Sequence, residues 1–147
     1  MLDKYSFRKG VKPGSGFSSP STVIFPLSNN SFTIGLWLYI EDDAKRGGFY
    51  EGNYSGSPYN RVILGKFASG VIHAQLIDVN GTTISLTTPQ DLNTWVRYDL
   101  TFNKDTKTLT FYKNGVQVGQ TSNTAFNNNI SETSYGGFWL GKNPGNG

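Results

Sequence analysis

Trp95-Val96-Arg97-Tyr98-Asp99-Leu100-Thr101-Phe102, the polar stretch Asn103-Lys104-Asp105-Thr106-Lys107, and Thr108-Leu109-Thr110-Phe111-Tyr112-Lys113-Asn114-Gly115-Val116-Gln117-Val118 decide the fold. In the first segment Val96, Tyr98, Leu100 and Phe102 alternate with Arg97, Asp99 and Thr101, the pattern of a strand with one buried face. In the second, Leu109 and Phe111 alternate with Thr110 and Tyr112. Asn114-Gly115 between strand-formers predicts a type I′ hairpin, whose two central residues both need positive φ. Val116 and Val118 begin a third strand. An antiparallel meander with one wet face follows.

The rest of the chain extends the same pattern. Phe32 to Ile40 sends Phe32, Ile34, Leu36, Leu38 and Ile40 to one face; Thr33, Gly35, Trp37 and Tyr39 make the other partly apolar, as in an interior strand. Short strands are expected at Thr22–Phe25, Arg61–Phe67, Val71–Asp78, Thr82–Leu86 and Phe138–Leu140. Within Val71–Asp78, Ile72, Ala74 and Leu76 face inward and His73 and Gln75 outward. Asn80-Gly81 is a second hairpin turn. Glu41 to Asn60, with four glycines and three tyrosines, reads as a long loop of the kind that is functional or disordered, and Asn123 to Ser134 as an Asn-rich loop. Eight or nine strands with short turns and no helical periodicity give an all-β, two-sheet antiparallel β-sandwich.

Composition agrees. A chain of 147 residues is one domain able to bury a core without staples, and 18 glycines with 14% aromatics suit a turn-rich sandwich. The absence of cysteine excludes disulfides, thiolate metal sites and a cysteine nucleophile. No apolar run is long enough to cross a bilayer, and no secretory segment follows Met1, so the chain is made without its own export signal or cut from a longer protein. The net charge of +3 comes from residues 1–12, where Lys4, Arg8, Lys9 and Lys12 stand against Asp3; nine basic and nine acidic residues cancel elsewhere. A neutral body offers no basic stripe for nucleic acid. The expected division is a basic, Gly/Pro-punctuated arm over 1–21 and the sandwich over 22–147. The arm is either a solvated leader or an edge strand, since Tyr5, Phe7, Val11 and Phe17 make it more apolar than a tether needs.

Three segments carry a family resemblance. Trp95 with the alternation to Asp99, then Leu-Thr-Phe-Tyr-Lys-Asn-Gly at 109–115, resembles the central signature of the laminin-G-like, concanavalin A-like jelly rolls. Ser31-Phe32-Thr33-Ile34-Gly35-Leu36-Trp37-Leu38-Tyr39 is similar to their early "FTI-x-x-W" strand, and Gly136-Gly137-Phe138-Trp139-Leu140-Gly141 to their late "aromatic-x-Leu-Gly" strand. The resemblance spans about residues 22 to 142 and implies sugar binding on one sheet or on the loops at its rim, often with one calcium ion. It also implies a closing strand after the Leu-Gly segment. Here Asn143-Pro144-Gly145-Asn146-Gly147 stands in that place, so the chain is a fragment or the N-terminal segment supplies the edge.

Candidate ligand residues come from face arithmetic. If Phe138 and Leu140 point inward, Trp139 points outward; a register slipped by one residue makes it core instead. His73, Gln75, Arg97 and Asp99 fall on outer faces and could take sugar hydroxyls beside a stacking indole. Tyr50, Tyr54 and Tyr59 either form a binding loop or pack onto the sheet. Trp37 and Trp95 are assigned to the core or its rim. For calcium the weak candidates are Asp42 and Asp43 after Glu41, and Asp78 in Asp78-Val79-Asn80-Gly81, which otherwise read as loop charges and a turn.

Catalysis is not expected. Glycoside hydrolysis normally needs two carboxylates, and related glucanases carry them on one strand as Glu-x-Asp-x-x-Glu. Glu41, Glu51 and Glu132 are the only glutamates, all in expected loops, and Asp99 stands alone. The expected function is a non-catalytic, lectin-like carbohydrate-binding module of a larger cell-surface or phage adhesion assembly. Its alternative is a structural or decoration domain contacting protein neighbours, for example on a virion. The expected location is an extracellular or virion surface, with a glycan or cell-surface polysaccharide as partner, no nucleic acid and no membrane insertion.

Overall fold

A computed structural model describes residues 10–11, 17–19, 27–44, 47–53, 61–68, 70–130 and 136–140, and of 10–11, 17–19, 50–53, 68 and 136–140 the backbone alone. The expected strand at Thr22–Phe25 lies outside these residues. Eleven strands are described: β1 Gly10–Val11, β2 Phe17–Ser19, β3 Phe32–Tyr39, β4 Gly47–Asn53, β5 Arg61–Ala68, β6 Val71–Ile77, β7 Thr83–Pro89, β8 Trp95–Asn103, β9 Thr108–Lys113, β10 Val116–Ser122 and β11 Gly136–Leu140. They form a five-stranded sheet, β1-β3-β8-β9-β10, and a six-stranded sheet, β2-β11-β4-β5-β6-β7. Every pairing is antiparallel except β1 with β3. The expected sandwich is the observed one.

The alternation places the core as read. Ile34, Leu36 and Leu38 on β3, Val96, Tyr98, Leu100 and Phe102 on β8, and Leu109 and Phe111 on β9 are buried against Val62 and Leu64 on β5 and Ile72, Ala74 and Leu76 on β6. Each large apolar side chain buried this way contributes about 1.5–3 kcal/mol. Burial pushes the Tyr98 phenol up to about 12, with the negative charge of Asp91 adding to it. Leu27, Phe126 and Ile130 enter the same core from the connecting segments. The Phe126 ring meets Phe102 edge-on at 5.5 Å, and Phe102 in turn lies 5.6 Å from Phe32.

One expected loop is a strand. Within Glu41–Asn60, β4 runs as Gly47–Asn53 between β11 and β5. Its opening glycines read as part of that loop in sequence, but the pairing requires them. Gly48 faces Gly65 across the ladder; a Cβ on Gly48 would lie 2.4 Å from the Leu64 carbonyl oxygen, and one on Gly65 2.6 Å from that of Gly47.

The N-terminal segment closes both sheets. β1 lies beside β3 at Trp37 and Leu38, and β2 lies beside β11. Among the described residues β2 is therefore an edge strand of the six-stranded sheet, outside the Leu-Gly segment.

Both central residues of the 113–116 hairpin have positive φ, 51° at Asn114 and 79° at Gly115, as a type I′ turn demands. At Asn80-Gly81 only Gly81 has positive φ, 81°; there Asp78 and Thr82 close the hairpin through the Asp78 N–H to Thr82 carbonyl bond. Nothing lies within 4 Å of a Cβ built on Gly115, so a side chain there meets only the backbone penalty. Gly115→Val is expected to cost about 1–2 kcal/mol for that reason. The urea midpoint measures it, and an unchanged midpoint would mean that the turn in solution is of another type.

Candidate functional site

Two outer faces are available, and the expected ligand residues divide between them. On β6, His73 and Gln75 face outward between the buried Ile72, Ala74 and Leu76, as expected. The ladder aligns Trp139 with Ser18 and Tyr50, Tyr50 with Ile63, and Ile63 with Gln75. Trp139 and Tyr50 thus share a register row with Gln75, next to rows that run through the core residues Val62 and Leu64. Tyr54 and Tyr59 lie outside the described residues. The centre of this face is not open surface, because Ile63 and Ile77 are buried. His73 is half-buried, its Nε2 without a hydrogen-bond partner among the described residues, and desolvation lowers its pKa.

Arg97 and Asp99 lie on the opposite side of the molecule, on the outer face of the five-stranded sheet. β8 carries Trp95, Arg97, Asp99 and Thr101 at alternate positions; β3 opposes them with Tyr39, Trp37, Gly35 and Thr33 in the same order. β9 adds Tyr112 beside Asp99 and Thr110 beside Thr101. Trp37 and Trp95 are 42% and 50% exposed, which corrects their assignment to the core or its rim. Their positions already carry the signal. Trp95 shares the parity of Arg97 and Asp99, and Trp37 that of Thr33 and Gly35. The strand period thus outweighs the general tendency of tryptophan to be buried.

The polar centre of this face is built on a glycine. The Arg97 guanidinium donates from Nε at 2.8 Å and from Nη2 at 2.5 Å to Asp99 Oδ1. A Cβ on Gly35 would fall 2.0 Å from Arg97 Nη2 and 2.3 Å from Asp99 Oδ1, so the pair lies flat across the bare backbone of β3. Arg97 is fixed from its own backbone as well: its N–H donates to Asn114 Oδ1, and the Asn114 N–H donates to its carbonyl. Both bonds of the pair use a single carboxylate oxygen. Among the described residues, Asp99 Oδ2 and Arg97 Nη1 have no hydrogen-bond partner and remain able to meet a ligand. Trp95 stands at one end against Tyr39, their rings 5.5 Å apart and tilted by 50°. The face therefore combines exposed indoles with an acceptor and a donor held at fixed positions.

The carboxylates considered for calcium are engaged by protein donors. Asp42 Oδ1 accepts the Ala44 N–H. Asp43 Oδ1 takes Lys66 Nζ, the Gly70 N–H and Gln90 Nε2. Buried Asp78 accepts three backbone amides, from Asn80, Thr82 and Asn127. Among the described residues no group of three or more His, Cys, Asp and Glu side chains could hold a metal ion.

The fold has known counterparts. A family model described as the concanavalin A-like lectin/glucanases superfamily matches residues 13–147. No curated protein matches the chain by sequence. Among solved structures, the CBM40 domain of Ruminococcus gnavus IT-sialidase bound to α2,3 sialyllactose superposes with a TM-score of 0.66 at 18% identity, covering 88% of this chain and 74% of that one. The LG4-5 domains of the mouse laminin α1 chain superpose with a TM-score of 0.64 at 11% identity, covering 92% of this chain and 34% of that one.

Proposed function

The chain belongs to the concanavalin A-like lectin/glucanases superfamily, and on that premise we propose that it is a non-catalytic carbohydrate-binding module whose glycan lies on the outer face of the five-stranded sheet. The observation that carries this reading is the exposure of Trp37 and Trp95 beside the Arg97–Asp99 pair. Large aromatic side chains left in water next to placed polar groups are what a sugar-stacking site requires. The outward positions of β3, β8, β9 and β10 include one carboxylate, Asp99, and it is tied to Arg97. Hydrolysis by paired carboxylates has no second partner there. The similar CBM40 and laminin domains are named as parts of a sialidase and of a laminin chain. As part of this reading, the chain is a module of a larger adhesion assembly, acting at an extracellular or virion surface.

A glycan array run with and without calcium tests the reading. Trp37→Ala and Trp95→Ala are each expected to weaken binding at least about thirtyfold, the effect of losing a central aromatic contact. Because both side chains are exposed, thermal unfolding should shift by no more than about 1 kcal/mol. Full binding retained by both variants would remove this face from the reading.

A further inference from the structure

Beyond the Arg97–Asp99 pair, the same face changes character. Thr33, Thr101, Thr110 and Gln120 are cross-strand partners in one row over β3, β8, β9 and β10. With Ser31 and Asn103 they line a depression of about 460 Å³ that contains no charged side chain. Ser31 Oγ accepts the Lys104 N–H, and Asn103 Oδ1 accepts those of Asp105 and Thr106, so these two hold the turn bordering the depression. The row itself is differently placed. Among the described residues nothing hydrogen-bonds to the hydroxyls of Thr33, Thr101 and Thr110 or to the side-chain amide of Gln120. Thr110 is only 9% exposed, so part of this unused capacity lies low in the trough. Threonine favours strands, which accounts for its presence on a wet face; here three threonines and a glutamine also line one hollow, with their side-chain polar groups left to solvent or a ligand.

We infer that the ligand is an uncharged, linear polysaccharide chain lying lengthwise along β8, stacked at Trp37 and Trp95 and hydrogen-bonded in the threonine trough, which rests on the sugar-binding reading above. The length follows from the strand. Trp95 and Thr101 are six residues apart on β8, about 20 Å, and a disaccharide at one end leaves the other empty. The neutrality follows from the charges. Arg97 is paired with Asp99, Lys104 with Asp105 and Lys113 with Asp91, and Lys107 Nζ, which has no carboxylate partner, donates to the Thr124 carbonyl at 2.8 Å; among the described residues of this strip each of these cations is already engaged by a protein acceptor. Threonine hydroxyls both donate and accept, as sugar hydroxyls do, and they discriminate by position rather than by charge.

Titration calorimetry with β-1,4-linked glucose, mannose and xylose oligosaccharides of two to six units tests this on wild type and on the Thr101→Val/Thr110→Val double variant. Valine preserves shape and strand preference and removes only the hydroxyls. In at least one series, wild-type affinity should rise about tenfold or more from dimer to hexamer. The double variant should lose about five- to twentyfold on the hexamer and nothing on the dimer. Equal affinity for dimer and hexamer, or a hexamer unaffected by the double variant, would overturn the inference, as would failure of all three series to bind. Array binding confined to acidic glycans would overturn it while leaving the sugar-binding reading in place; a blank array would remove both.

Discussion

Replacing Asp78 with alanine is expected to cost the domain about 3–5 kcal/mol, a large share of the stability of a single domain. Asp78 is fully buried where three connecting segments meet. Its Oδ1 accepts the amides of Asn80 and Thr82, each at 2.8 Å, which shapes the β6–β7 hairpin. Its Oδ2 accepts the Asn127 amide at 2.6 Å and so fastens the Asn-rich segment to that hairpin. The same segment is held by the Val79 N–H to the Asn129 carbonyl, the Asn29 N–H to the Asn128 carbonyl, and the Ile130 N–H to Ser28 Oγ. Through it Phe126 and Ile130 reach the core. Alanine would leave three amides without an acceptor and loosen the segment that delivers two core side chains. Asp78→Asn keeps an acceptor and should retain part of the stability. Urea unfolding of both variants decides the matter; a loss under about 1 kcal/mol for alanine would show that the turns hold themselves.

The second large effect concerns a lysine inside the sandwich. Lys66 occupies the inward row of β5 that also contains Val62 and Leu64, and it is fully buried. Its Nζ lies 2.6 Å from the Asp43 carbonyl oxygen and 3.0 Å from Asp43 Oδ1. The same carboxylate oxygen accepts the Gly70 N–H and Gln90 Nε2. Asp43→Ala is expected to cost about 2–4 kcal/mol, less than a wholly buried pair because the Asp43 side chain is 43% exposed and water can enter. Lys66→Met keeps the apolar stem and removes the charge, and should change stability by no more than about 1 kcal/mol. In the Lys66→Met background the cost of Asp43→Ala should fall by at least about 1 kcal/mol, measured as a double-mutant cycle. An identical cost in both backgrounds would show that the carboxylate does not hold the ammonium.

Neither of these anchors is visible in sequence. Asp43 and Asp78 read there as loop charges or weak calcium ligands, because a carboxylate's role depends on donors 27, 47 or 49 residues away in the chain.

By itself, the sequence determined which segments are strands along most of the chain and which side chains of each strand share a face. That information is local: the pleat has a period of two, and a run such as Val96-Arg97-Tyr98-Asp99-Leu100 can satisfy it in only one way. The Asn114-Gly115 turn was legible for the same reason, since its φ requirement is met by its own two residues. Tertiary structure alone decided which strands lie side by side and what covers each face. It made a central strand of the glycine-rich Gly47–Asn53 segment, because the close approach of Gly48 to Gly65 exists only once β5 is in place. It placed Arg97 and Asp99 on one side of the sandwich and His73 and Gln75 on the other, since a strand's alternation does not say which sheet it joins. It left Trp37 and Trp95 in water while burying Ile63 and Ile77, also on an outward face. Burial depends on what packs above a side chain, and the contacts that pack there come from distant parts of the chain.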